Sequence, residues 1–230
     1  MTVLFITGID TDIGKTYATG YLAKLLQQKD PDNASTVITQ KLVQTGCTGI
    51  AADLLKHRQM MALPLQKVDT NITTCPYVFA VPASPHLASK LEGCVIDVDK
   101  ITEATQILLA TYDTVLLEGA GGLMVPIIDN VLIIDYIAEQ GYPVVLVTSG
   151  RLGSINHTLL SLEALKQRNI PLHTLVYNHW QGEGVAEPQH KQASVDEQIT
   201  DDTRLFLQRH LATHYPQAKW LDLPNLKDNQ

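Results

Sequence analysis

Between residues 101 and 178 the chain alternates helical patterns with strand-length apolar runs three times. "ITEATQILLATY" precedes "DTVLLEG", "LIIDYIAEQG" precedes "PVVLVTSG", and "INHTLLSLEALKQRN" precedes "PLHTLVYN". The strand runs are rich in branched aliphatic residues, so both faces of each need cover. Strands and helices in that rhythm specify parallel pairing with helices on both sides, because parallel neighbours need a long crossover. The expected fold is α/β, three layers around a mostly parallel sheet. "TVLFITG" and the helical "KTYATGYLAKLLQQ" extend the rhythm to the N-terminus, and "TVITQKLV" adds a strand.

Elsewhere the pattern is looser. "KDPDNAS" reads as a turn. "IAADLLKHRQMMA" reads as a helix, and residues 64–85 as irregular, with prolines at 64, 76, 82 and 85. Pro85 opens the short helix "PHLASKLE" with Ser84 as N-cap. Residues 181–198 read as a polar surface loop, followed by a helix near 201–212 and a short strand at "KWLDLP". No repeat, low-complexity tract or linker interrupts the chain, which predicts one domain over 1–230.

In open parallel sheets ligands bind beyond the carboxyl ends of the strands. "GIDTDIGKT", Gly8–Thr16, stands at such an end and opens a helix. Free N–H groups and the positive dipole end at a helix start attract a phosphate, Lys15 adds charge, and Thr16 offers a hydroxyl to Mg²⁺. Five residues separate Gly8 from Gly14, one more than the common phosphate loop has. Glu118 closes another strand before "GAGG", as a metal-shell carboxylate would. Lys41 ends the second strand, placed to neutralise a phosphoryl group or carboxylate. Asp53 reads either as a second metal carboxylate or as an acid favoured by a helix dipole. "SGRLGSINH" opens a helix at Ser154, Ile155 and Asn156 and offers a second anion site. The histidines show no metal-ligand spacing.

Net charge is −7 with a pI near 5.5, which disfavours a nucleic-acid or anionic-membrane surface. The three cysteines are far apart and form no disulfide framework. Without a signal-peptide pattern or a membrane-length apolar stretch, a cytoplasmic setting is expected.

Together these motifs resemble the dethiobiotin synthetase family. "GIDTDIGKT" matches its phosphate loop, including the extra residue, and "KLVQTG", "PYVFAVPASPH", "EGAGG" and "LGSINH" follow in family order. The resemblance runs from residue 2 to about 178, then thins to "DLPNL". Val81, Arg151 and His179 stand where many members have Glu, Lys and Asp.

The resemblance implies an ATP-dependent ligase acting on 7,8-diaminononanoate and CO2. One amine would be carboxylated to a carbamate, the carbamate phosphorylated, and the cyclic urea closed by the second amine. Lys15, Lys41 and Thr11 are the implied catalytic residues. Thr16, Asp53 and Glu118 would hold Mg²⁺. ATP would also meet Asp12, Ile13, Gly14, Tyr17, Gly119, Ala120 and Gly121. Its adenine would meet Asn178 and His179, with Asp222, Leu223 and Pro224 nearby. Thr45 would bind the diamine, and Gly153, Ser154, Ile155 and Asn156 its remote carboxylate across a homodimer interface. A switch ATPase of the partitioning or nitrogenase-iron-protein type is the alternative. Those carry a lysine where Thr7, Gly8 and Ile9 stand here.

Overall fold

The computed structural model describes residues 1–28, 36–179 and 190–224. Strand β1 (Thr2–Gly8) leads through the Gly8–Thr16 loop into helix α1 (Lys15–Gln28). Strand β2 (Val37–Lys41) is followed by β3 (Gln44–Thr45), α2 (Ala52–Met60), α3 (Lys67–Thr70), β4 (Val78–Phe79) and α4 (Pro85–Leu91). Then come α5 (Val98–Leu109), β5 (Thr114–Gly122), β6 (Pro126–Ile128), β7 (Val131–Leu132) and α6 (Ile133–Gln140). The chain continues with β8 (Val144–Ser149), α7 (Ser154–Gln167), β9 (Leu172–Asn178), α8 (His190–His214) and β10 (Lys219–Leu223).

Six strands form one sheet in the order β10-β9-β8-β1-β5-β2, every pair parallel. Alternate residues of each central strand supply two separate cores. Leu4, Ile6, Leu116, Val145 and Val147 pack with Ala18 and Ala23 of α1 on one face. Phe5, Leu117, Val144 and Leu146 pack with residues of α5, α6, α7 and α8 on the other. That is the expected three-layer α/β/α arrangement, and its continuous apolar strands are explained by cover on both sides. β1 lies between β5 and β8, where the strand order reverses, so the loop after β1 opens at the topological switch point.

Several boundaries differ from the expected ones. α5 begins at Val98 because the Asp97 carboxylate accepts the Asp99 N–H at 3.0 Å. "TVITQKLV" breaks after Lys41, and Gln44–Thr45 pairs instead with Val78–Phe79, inside the stretch read as irregular. Ser84 does precede α4, but its hydroxyl meets His86 Nδ1 at 3.0 Å rather than a helix N–H. Within the expected 181–198 loop, the residues from His190 onward belong to α8, since no glycine or proline occurs between Pro188 and Pro216. The rest of that segment, the "KDPDNAS" turn, and Asn225 and Leu226 of "DLPNL" lie outside the described residues. Among the described residues, no helix is long and apolar enough to cross a membrane.

Candidate active site

The loop after β1 is shaped by a glycine and braced from behind. Gly14 has φ +94°, and a Cβ there would lie 2.3 Å from Asn178 Nδ2. Asn178, at the end of β9, donates from that nitrogen to the Ile13 carbonyl at 3.0 Å. Asp12 takes the left-handed region at φ 54°, which Asp tolerates better than most residues. Because α1 starts at Lys15, its first unpaired N–H groups and positive dipole end fall at the loop. Lys15 is buried, and its Nζ donates to the Asp10 carbonyl at 2.9 Å.

Across from the loop stands a cluster of buried charge. Lys41 and Glu118 are register partners on β2 and β5, so their side chains leave the same face of the sheet, the one covered by α1. Lys41 Nζ donates to Glu118 Oε1 at 2.7 Å and to the Gly119 carbonyl at 3.1 Å, and pairs with Asp53. Glu118 is fully buried yet receives four donors. Oε1 also takes the Thr16 hydroxyl at 3.2 Å, while Oε2 takes Thr19 Oγ1 at 2.8 Å and His57 Nε2 at 2.9 Å. Asp53 and His57 both come from α2, one turn apart. That helix is fixed by Arg58, whose guanidinium grips Asp69 through Nε at 2.8 Å and Nη2 at 2.7 Å and bonds Thr39 on β2.

Burial alone would push the Glu118 carboxyl upward; the Lys41 charge and the His57 bond override it and hold it well below its usual range. For Lys41, burial works against the ammonium, but Glu118 and Asp53 raise its pKa well above the ordinary lysine value. Lys15 goes the other way, to about 8, through burial and then repulsion from Lys41. Two lysines of one site are therefore charged on opposite terms.

A cavity of about 630 Å³ opens between these groups. Thr11, Asp12, Gly14, Lys15, Thr16 and Tyr17 line it from the loop side. Lys41, Thr45, Glu118, Ala120 and Gly121 line it from the strands opposite, and Asp53 from the start of α2. Twelve residues singled out in the sequence thus meet around one space, although Thr16 and Glu118, for example, are 102 positions apart. Others stand apart from it. Ile13 and Asn178 brace the loop from behind, and Gly119 packs against Phe5, serving Lys41 through its carbonyl. His179 pairs with Asp222 at 3.0 Å, and that carboxylate also takes two bonds from Arg204 and one from Trp220. The Arg204 bonds foremost bring the Asp222 carboxyl to about 2. Leu223 is buried and Pro224 half-buried at the end of β10. Gly153, Ser154, Ile155 and Asn156 open α7 away from the cavity; Ser154 is buried against Ser149, and Asn156 is exposed.

Sequence reading missed Thr19, His57 and Gln44. Gln44 lines the cavity, and its Oε1 accepts the Asp53 N–H at 3.3 Å. Thr19 follows Thr16 by three positions and His57 follows Asp53 by four, so helical spacing from the chosen residues would have pointed to both.

The AAA domain family model matches residues 2–214. The ATP-dependent dethiobiotin synthetase BioD 2 of Pasteurella multocida is 49% identical over 214 residues, 93% of each chain. The ATP-dependent dethiobiotin synthetase BioD of Chlorobaculum tepidum is 51% identical over 178 residues, 77% of this chain and 73% of that one. The chain belongs to the dethiobiotin synthetase family. As a member it is an enzyme, an ATP-dependent ligase of biotin biosynthesis. A Borrelia burgdorferi protein described as a plasmid partition protein, solved with bound AMPPNP, superposes with a TM-score of 0.54 at 13% identity. It covers 100% of this chain and 90% of its own, and shows the shared phosphate-loop NTPase fold.

Proposed function

We propose that the chain uses ATP and CO2 to close 7,8-diaminononanoate into the cyclic urea dethiobiotin, as its family name implies. The observation that carries this reading is the meeting of two buried lysines, Lys15 and Lys41, in one cavity with Thr11, Thr16 and Thr45. Carbamate and γ-phosphate are both anions, and bringing them together requires cations on both.

The residues fit Mg²⁺. Thr16 Oγ1 and Glu118 Oε1 lie 3.2 Å apart, and Asp53 shares the Lys41 ammonium with that same Oε1. One hydroxyl and two carboxylates form a hard, all-oxygen donor set, and Mg²⁺ sites of this kind complete themselves with nucleotide phosphates and water. When bound, Mg²⁺ would supply charge neutralisation on the phosphates.

In the proposed sequence, one amine nitrogen bonds to the carbon of CO2 and loses a proton, giving a carbamate. A carbamate oxygen then attacks the γ-phosphorus and the bond to the β-phosphate oxygen breaks, releasing ADP. The second amine attacks the carbonyl carbon, the carbon–oxygen bond to phosphate breaks, and a second proton is lost as the ring closes. The loop amides and Lys15 hold the phosphates, Lys41 faces the transferring group, and Thr11 and Thr45 orient the carbamate and diamine. Asn178, His179 and the Asp222–Pro224 segment border the adenine end, and Gly153–Asn156 serve the diamine carboxylate of a second subunit. We place this reaction in a single 1–230 domain, as a homodimer in the cytoplasm.

The test supplies 7,8-diaminononanoate, bicarbonate, Mg²⁺ and ATP. The expected result is diamine-dependent ADP release with a cyclic urea detected by mass spectrometry. ADP release that ignores the diamine would refute the reading and favour a switch ATPase.

A further inference from the structure

His57 has no task in the chemistry above, yet it is fully buried beside the charge cluster, with Nε2 2.9 Å from Glu118 Oε2. An ionised carboxylate only accepts, so Nε2 carries the hydrogen and His57 is the donor. The other donor to Oε2 is compromised. Thr19 Oγ1 lies 2.8 Å from Oε2 and 2.8 Å from the Lys15 carbonyl, and a hydroxyl has one hydrogen for the two. His57 is therefore the committed partner of Oε2, whereas Oε1 faces Thr16, Lys41 and the cavity.

We propose that His57 is a positioning residue for the metal-binding carboxylate. It fixes Oε2 from behind, so that Oε1 is the oxygen offered to the divalent cation. This rests on the reading that Glu118 belongs to the metal shell. Two further observations support the role. His57 stands four residues after Asp53 on α2, so one rigid helix delivers both a candidate ligand and the anchor of the other. Its Nδ1 has no partner among the described residues. An unpaired buried ring nitrogen is costly, so the Nε2 bond to Glu118 is the polar contact that offsets it and distinguishes histidine from leucine at this position. Carboxylates and histidines held by outer hydrogen bonds of this kind bind metals with more defined geometry.

The experiment titrates Mn²⁺ into the ADP-loaded full chain and follows free Mn²⁺ by electron paramagnetic resonance. Wild type, His57→Leu, His57→Gln and Glu118→Gln are compared. His57→Leu is expected to weaken Mn²⁺ binding by about 10–100-fold. Its ADP affinity in EDTA and its KM for the diamine should stay unchanged, which a general structural defect would not allow. His57→Gln, whose amide nitrogen reaches the same place, should retain most of the affinity. Wild-type Mn²⁺ affinity in His57→Leu, with affinity lost in Glu118→Gln, would overturn the positioning role alone. Unchanged affinity in Glu118→Gln would instead remove Glu118 from the metal shell, and the proposal with it. If the leucine variant does not fold, His57→Gln is set against His57→Asn, whose amide is one bond shorter; equal affinities in the two would overturn the proposal.

Discussion

Replacing Lys41 by methionine should damage stability as well as catalysis. The methionine keeps the length of the side chain but removes the ammonium lying between Asp53 and the fully buried Glu118. Glu118 then keeps only neutral donors from Thr16 and Thr19 beside His57. Removing one partner of a buried ion pair costs about 3–5 kcal/mol, because the remaining charge is uncompensated. For a chain of this size that is a fall in melting temperature of roughly 6–20 °C. Turnover should drop by about 10²–10³-fold, the usual effect of removing one charge-stabilising donor from a transition state. Thermal unfolding and steady-state kinetics check the two effects separately. A double-mutant cycle with Glu118→Gln then isolates the pair. The double variant should be less destabilised than the sum of the singles, since the glutamine no longer needs a cation. A melting temperature equal to wild type, or strict additivity in the cycle, would refute the reasoning that this pair carries the buried charge.

Gly14→Ala must place a Cβ 2.3 Å from Asn178 Nδ2 in a backbone with φ +94°, so we expect strain of about 1–3 kcal/mol and loss of ADP binding by calorimetry. Wild-type affinity would show that the loop conformation is not the binding one. Lys15 has a pKa of about 8 in the free chain, and adjacent phosphates would raise it. Metal-free ADP affinity should thus be full below pH 8 and weaken above it, by up to about tenfold per pH unit. In Lys15→Arg, which stays protonated, the profile should be flat; a flat profile in wild type would refute the assignment. Asn156→Ala should raise the KM for the diamine and leave that for ATP unchanged, because Asn156 is exposed and outside the cavity of its own chain. Equal effects on both constants would count against a role in holding the diamine carboxylate.

The sheet was readable because its strands are buried on both faces and carry uninterrupted branched aliphatic residues. Once strands are located, their carboxyl ends are located too, which is why Lys15, Lys41, Glu118 and Thr16 could be picked out before their contacts were known. Register was not readable. That Lys41 lies beside Glu118, and Asp222 beside Tyr177, depends on how parallel strands slide past each other. His57 and Thr19 were hidden for a different reason. Each is a polar residue within a helix, and its burial follows only from the packing of α1 and α2 over the end of β5. The four-donor saturation of Asp222 joins β9, α8 and β10, and no local pattern announces it.

The contrast between the two lysines bears on how the cavity would work. Lys41 is electrostatically satisfied within the chain, because Asp53 and Glu118 already hold its charge. Lys15 is not: it is buried, repelled by Lys41, and bonded at Nζ to a neutral carbonyl. An incoming phosphate therefore gains most from Lys15, whose charge it restores. Lys41 becomes available to an anion only when another cation takes over the two carboxylates. On the proposed chemistry, loading of the metal and nucleotide would thus precede full engagement of Lys41 with the carbamate. The site then withholds its second positive charge until metal and nucleotide are in place, so that the carbamate meets a free Lys41 only when ATP is there to phosphorylate it, and Glu118 couples the two substrates.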